Sequence, residues 1–158
     1  MLVDDDTEFM RLALEEAKCA LAEGEVPVGA VLVAEGRVVA RAHNRRENEN
    51  DPTAHAEILA LRDGAKKSGS WRLSGATLYV TKEPCPMCAG AMVNARLEGL
   101  VYGCPDLKGG AAGSLLNIVR DGRLNHMVMV KEAGGALGAE CAGLLRSFFE
   151  RKRRPAGL

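Results

Sequence analysis

Aromatic residues are scarce in this sequence: one Trp, two Tyr and three Phe make up 4% of its 158 residues. A core built from it must lean on Ala, Val, Leu and Ile. Net charge is missing as well, since 21 Lys and Arg balance 21 Asp and Glu. That excludes a broadly basic coat, so a nucleic-acid partner would have to be held by a local patch. No apolar run approaches the roughly 18 residues of a transmembrane helix. Acid residues arrive at Asp4, too early for the basic and apolar regions of a signal peptide. No membrane association and a cytoplasmic location are therefore expected. The five cysteines are an odd number and two of them form a C-x-x-C, which favours reduced or metal-bound thiols over a disulfide framework.

What remains is the composition of an ordinary globular domain, 47% apolar and 27% charged. The length predicts a single domain over 1–158, with 152–158 as a flexible basic tail. Along the chain, "TEFMRLALEEAKCALAEGE" predicts a helix whose apolar face carries Phe9, Leu12, Ala13, Ala17, Ala20 and Leu21, capped by Asp6 or Thr7. "VGAVLVA" and "RVVARAH" flank Glu35-Gly36 and read as a hairpin, the first strand buried on both faces. "NRRENENDP" reads as a loop. "PTAHAEILAL" begins a helix at about Ala54, with Thr53 as its N-cap. Strands follow at "ATLYVTK", "GLVYG" and "MVMVK", and a helix at "CPMCAGAMVNA". A glycine-rich loop, "DLKGGAAGSLLNI", leads into a short helix near Leu115. A closing helix carries Leu137, Cys141, Leu145, Phe148 and Phe149 on one face. The order predicts an α/β fold with helices on both sides of a sheet whose later strands are mostly parallel.

Two motifs carry chemistry. Cys85 and Cys88 are three apart, so at the start of a helix their sulfurs share a face where free N–H groups and the positive dipole end favour thiolates. His55, at the start of another helix, supplies a third ligand. Three protein ligands leave a tetrahedral zinc one position open for water, as in catalytic rather than structural sites. Glu57 sits two residues after His55. Inside a helix such residues point about 200° apart, so the two line one pocket only if the helix has barely begun. So placed, Glu57 can move protons between water and a substrate nitrogen. H-x-E together with P-C-x-x-C is the known signature of zinc deaminases of nucleobases.

At these residues the chain resembles the cytidine deaminase-like superfamily. "EVPVGAVLV", "HNRRENENDPTAHAEILALR", "LYVTKEPCPMCAGAM", "VYGCPDLKGGAAGSLLNI" and "NHMVMVKEAGGALGAECAGLLRSFFERKR" extend the likeness, over about Phe9 to Arg154, to the bacterial tRNA-specific adenosine deaminases. The resemblance implies a three-layer α/β/α sandwich around a five-stranded mixed sheet and a homodimer. It implies hydrolysis of adenosine to inosine at the wobble position of a tRNA anticodon by zinc-activated hydroxide. His55, Cys85 and Cys88 would hold zinc and Glu57 would shuttle protons. Asn44 would bind the flipped nucleoside, Asp106 and Lys108 would lie beside the RNA, and Phe148, Phe149, Arg151 and Lys152 would meet the anticodon loop.

Bottom-up, one of Phe148 and Phe149 is expected in the core and the other free to stack on a base. The Gly109 to Gly113 run is no P-loop, lacking G-K-[ST], and on its own reads as a flexible connection. Three positions depart from or blur the family pattern. Lys82 stands where a neutral or apolar residue is expected, Pro86 also suits guanine deaminases, and Ala139 occupies a frequently acidic position. Two rivals remain: a deaminase of free guanine or cytosine, and a structural zinc module that binds RNA. The module would need a fourth ligand from His43, Cys104 or His126. Cys19, Cys104 and Cys141 are expected to act as buried small hydrophobes.

Overall fold

Glu35 and Gly36 both take positive φ, 53° and 73°, the backbone a tight two-residue hairpin demands. They join β1 (Gly29–Ala34) to β2 (Arg37–His43) in antiparallel register, in a computed structural model that describes residues 2–154. The helices are α1 (Asp4–Ala22), α2 (Arg46–Glu49), α3 (Ala56–Ser68), α4 (Pro86–Asn94) and α5 (Gly135–Arg153); the remaining strands are β3 (Ala76–Lys82), β4 (Gly99–Cys104) and β5 (Met129–Glu132). The strands form one mixed sheet in the order β2-β1-β3-β4-β5. β1 runs antiparallel to β2 and β3, while β3, β4 and β5 are parallel. This is the α/β/α sandwich expected.

Alternation along the strands feeds two cores. Leu32, Leu78 and Leu100 point to the face covered by Ala60 and Leu61 of α3 and Ala89 and Met92 of α4. Val31, Tyr79 and Val101 point to the other, against Met10, Ala13 and Leu14 of α1 and Cys141 of α5. The helices lie close. A Cβ on Gly29 would come within 2.1 Å of the Ala13 carbonyl oxygen, and one on Gly138 within 2.8 Å of the Gly103 carbonyl.

Several local expectations give way. The buried stripe of α1 is Met10, Ala13, Leu14, Ala17 and Ala20, so Phe9, Leu12 and Leu21 flank it rather than form it. Its cap is Val3. Asp6 lies one turn in, where it accepts the Val3 amide at 3.3 Å. The loop after β2 contains the single turn α2. No helix forms near Leu115, where the chain instead makes an isolated bridge between Ala112 and Asn117. Cys19 is exposed, whereas Cys104 and Cys141 are buried as expected. Residues 155–158 of the expected tail lie outside the described residues. Among those described, no helix is long and apolar enough to cross a membrane.

Asp6 ties the α1 side together. Buried, it accepts the Tyr79 hydroxyl at 2.6 Å and Lys131 Nζ at 3.2 Å. Burial pushes its carboxyl up, but the Tyr79 hydroxyl, the Val3 amide and Lys131 together pull it below the usual carboxylate range. A lowered native value means the stabilisation is full above the ordinary carboxylate pKa of about 4 and is lost as pH falls through the native value. Asp6→Ala should cost about 2–3 kcal/mol at pH 7, because it leaves the buried Tyr79 hydroxyl unpaired. Urea denaturation checks this, and the gap to wild type should shrink at pH 3.

Candidate metal centre and pocket

The sheet order decides where the chemistry sits. β3 and β4 are parallel and end together, and antiparallel β1 begins where β3 ends, Ala30 facing Val80. The end of β2 joins them, His43 facing Gly29. The starts of α3 and α4 therefore open at one edge of the sheet, at the carboxyl ends of its parallel strands, the usual place for a site in such sheets.

Both ligand motifs lie at helix starts, and the first residue of each is outside the helix proper. His55 is the N-cap of α3, with extended backbone (φ −76°, ψ 150°), and Cys85 is the N-cap of α4 (φ −72°, ψ 172°). The helix thus begins at Ala56, two residues later than expected, and Thr53 is not its cap. Thr53 instead donates its amide and hydroxyl to the Asp51 carboxylate at 2.8 and 2.7 Å, shaping the turn before the helix. This resolves the spacing of His55 and Glu57. With His55 extended and only Glu57 in the first turn, the helical angle between them does not apply. Pro86 is the first residue of α4, where its missing N–H costs nothing, so helix geometry alone accounts for it.

His55 Nδ1 lies 3.6 Å from Cys85 Sγ and 3.5 Å from Cys88 Sγ. The three donor atoms fall within 4.8 Å of one another. The Cys85 thiol is pulled down to about 3, chiefly by the hydrogen bond from Cys88, while that bond and burial push Cys88 well up. The bond to Cys85 raises His55. One imidazole and two thiols aimed at a single point are a donor set suited to a borderline-soft divalent ion. Among the described residues no fourth side chain completes it. His43 is engaged by Glu16 and Glu23 at 3.0 Å each, His126 lies 2.6 Å from the Leu97 carbonyl, and Cys104 donates to the Thr81 carbonyl. Without a fourth ligand, the structural-module reading loses its basis.

Beside the cluster is a cavity of about 160 Å³, far more than a single water needs. Glu57 lines it, only 4% exposed, and burial pushes its carboxyl above the usual range. Asn44, Asp106 and Phe149 also line it, so the fold gathers these expected residues around the metal motif. Lys108, Arg151 and Lys152 do not line it and are exposed outside it. Phe148 is turned inward, 7% exposed, with Phe149 edge-on at 5.3 Å and Lys152 over its ring. Of the expected aromatic pair, only Phe149 is free to meet RNA.

Two charged wall residues escaped the sequence reading. Arg46, on α2, is one. Glu83 is the other and the more consequential. Its buried carboxylate accepts the amides of Asp106 (3.1 Å), Ala112 (3.0 Å) and Ser114 (3.0 Å), and the Ser114 hydroxyl. Gly110 passes so close that a Cβ there would meet the Glu83 carboxyl carbon at 2.3 Å. The glycine run expected as a flexible connection is therefore wound around an anchor. The readable signal was an acid two residues before a ligand cysteine, with adjacent glycines farther on.

A model of the MafB19-like deaminase family matches residues 4–153. The tRNA-specific adenosine deaminase of Bacillus subtilis strain 168 is 51% identical over 149 residues, covering 94% of this chain and 91% of its own. A solved structure from a study of A-to-I editing by tRNA:A34 deaminases at the wobble position is 47% identical, with a TM-score of 0.83, covering 88% of this chain and 99% of that one. A guanine deaminase from Bacillus subtilis is farther off, 27% identical with a TM-score of 0.62, each chain covered to 96%.

The donor set predicts that Cys88→Ala abolishes metal binding, since a remaining thiol and imidazole cannot enclose an ion. Metal analysis of the purified variant should find no bound ion, and thermal melting should show a lower midpoint.

Proposed function

The chain belongs to the family of the tRNA-specific adenosine deaminases, and we propose that it hydrolyses adenosine to inosine at the wobble position of a tRNA anticodon, releasing ammonia. The observation that carries this reading is the buried carboxylate of Glu57 beside a three-donor cluster in a cavity with room for a base. Likeness at 51% identity over nearly the whole chain supplies the substrate class, and the 27% identity to a guanine deaminase leaves that rival behind.

His55, Cys85 and Cys88 would hold one zinc per chain. Bound there, zinc supplies Lewis acidity that brings the ionisation of a water toward neutral pH. Everything else falls to the protein. Glu57 takes a proton from water and gives it to the adenine ring nitrogen as the hydroxide oxygen adds to C6. It then passes the second proton, from the new C6 hydroxyl, to the amine, so that the C6–N bond breaks, ammonia leaves and the carbonyl of inosine forms. It stands outside the ligand triangle, so it remains free for proton transfer. Asn44, 5% exposed, lines the wall, its side-chain amide held by the Val26 carbonyl and the Arg46 amide, and it would hydrogen-bond the nucleoside from there. Phe149 is 40% exposed at the pocket and would stack on a flanking base. Asp106 would meet the RNA at the mouth, and Lys108, Arg151 and Lys152 would contact phosphates around it. A wobble base is already poorly stacked in its loop, so drawing it into the pocket costs less than from a duplex.

A homodimer belongs to the same reading. The groove between α3 and α4 supports it, with Trp71 61% exposed beside Ile58, Leu61, Ala65 and Leu73. The substrate points to the cytoplasm as the site of action, with residues 1–158 working as one domain.

Incubation with an anticodon stem-loop carrying adenosine at the wobble position should yield inosine, and free guanine should be left unchanged. Guanine hydrolysis without inosine formation would refute the assignment. Glu57→Ala should lose about 10²–10⁴-fold in kcat while keeping its zinc. Loss of the metal in that variant would make Glu57 a ligand and the proton-transfer scheme wrong.

A further inference from the structure

Lys82 stands where the family pattern leads one to expect a neutral or apolar side chain, yet it lines the pocket. It is the last residue of β3, paired with Cys104 across the parallel ladder, and three residues before Cys85. Its Nζ lies 3.1 Å from Asp106 Oδ2, the two side chains 32% and 23% exposed. The other carboxylate oxygen of Asp106 accepts the amides of Lys108 at 3.1 Å and Gly109 at 3.2 Å. Three donors therefore hold the carboxylate, and its own backbone amide is held by Glu83.

Charge at the pocket gives this pair its meaning. Glu57, Glu83 and Asp106 all line the pocket, and among the described lining residues Lys82 and Arg46 are the cations. Carboxylates at a pocket mouth repel a polyanion, and the repulsion is strong where water is partly excluded. An ammonium carries three donors, of which Lys82 uses one on Asp106. A nucleoside within a polynucleotide arrives with a phosphate on each side, and a free base arrives with none.

We propose that Lys82 is a specificity-determining residue: it cancels the Asp106 charge at the pocket mouth and gives its remaining donors to a phosphate flanking the target nucleoside. This rests on the wobble-adenosine reading. The two ion-pair partners thereby do different work. Asp106 is fixed in place, and Lys82 converts an acidic rim into one that accepts a nucleic-acid strand.

The test is steady-state kinetics on the adenosine-bearing anticodon stem-loop over a range of KCl concentrations, comparing the zinc-loaded wild type with Lys82→Met, Lys82→Gln and Lys82→Arg. Both neutral variants should raise KM roughly tenfold, the value of one charge-assisted contact. The loss should fall on KM with kcat little moved. The slope of log KM against log salt should flatten by about one, the signature of one lost phosphate contact. Lys82→Arg should restore both. Unchanged KM and salt slope in the neutral variants would overturn the proposal. So would a fall in kcat with the salt slope intact, which marks a merely structural residue. A wild type that makes no inosine would sink the functional reading itself, whereas an active wild type matched by Lys82→Met sinks only the inference about Lys82.

Discussion

One imidazole nitrogen and two sulfurs must reach a common point from positions thirty residues apart, and the architecture can be read as the means of doing so. The solution uses the ends of helices rather than their faces. His55 and Cys85 are both N-caps with extended backbone, so each side chain projects off a helix start. There the unpaired amides and the positive dipole end stabilise a thiolate. Two such starts meet only because the loop after β2 and the turn after β3 leave the sheet at the same edge, which the antiparallel placement of β1 between those strands ensures. Glu57, in the first turn behind His55, then becomes part of the site while its own burial keeps water from screening it.

The turn after β3 does a second job. Glu83 and Cys85 are separated by one proline, and Glu83 organises the whole 106–114 segment through four hydrogen bonds. The Pro84 carbonyl adds a fifth tie, accepting the Ala111 amide at 2.8 Å. A buried carboxylate without such partners would be strongly unfavourable, so the loop has little freedom to leave it. Burial raises the Glu83 carboxyl, but the Ser114 hydroxyl and the three amides outweigh it and the net shift is downward. The residue that places the pocket rim is thus rigidly joined to the strand end that places the metal ligand.

The sequence shows how far such an arrangement can be read in advance. Short apolar runs and turn residues located every strand, because such runs and Glu35-Gly36 are local signals. The ligand set was legible because H-x-E and P-C-x-x-C pair residue types with few other joint uses. Helix starts were misplaced by two residues at α3 because Thr53 looks like a cap from its type alone, and only the neighbouring Asp51 diverts its side chain. The loop at 106–114 was misread for a deeper reason. Its order comes from a partner more than twenty residues upstream, and no local pattern announces a carboxylate that will be buried under it. Phe148 and Phe149 show the same limit, since adjacent rings on one helix differ in exposure only through what packs around them.

These differences bear on specificity. The donor cluster and the buried carboxylate beside it answer a need common to any hydrolytic deaminase of a base, so they cannot choose among bases or between a free base and a polynucleotide. That choice must be made by residues whose place depends on the irregular segments: Asn44 and Arg46 around the end of β2, Lys82 and Asp106 at the ends of β3 and β4, and Phe149 from the last helix. All but Phe149 sit where a strand stops. A rigid sheet with variable strand ends lets the rim change charge and shape while the donor geometry stays fixed. Lys82 illustrates this, because a cation enters the pocket wall three residues before a ligand cysteine and the 106–114 loop already supplies the carboxylate that pairs with it.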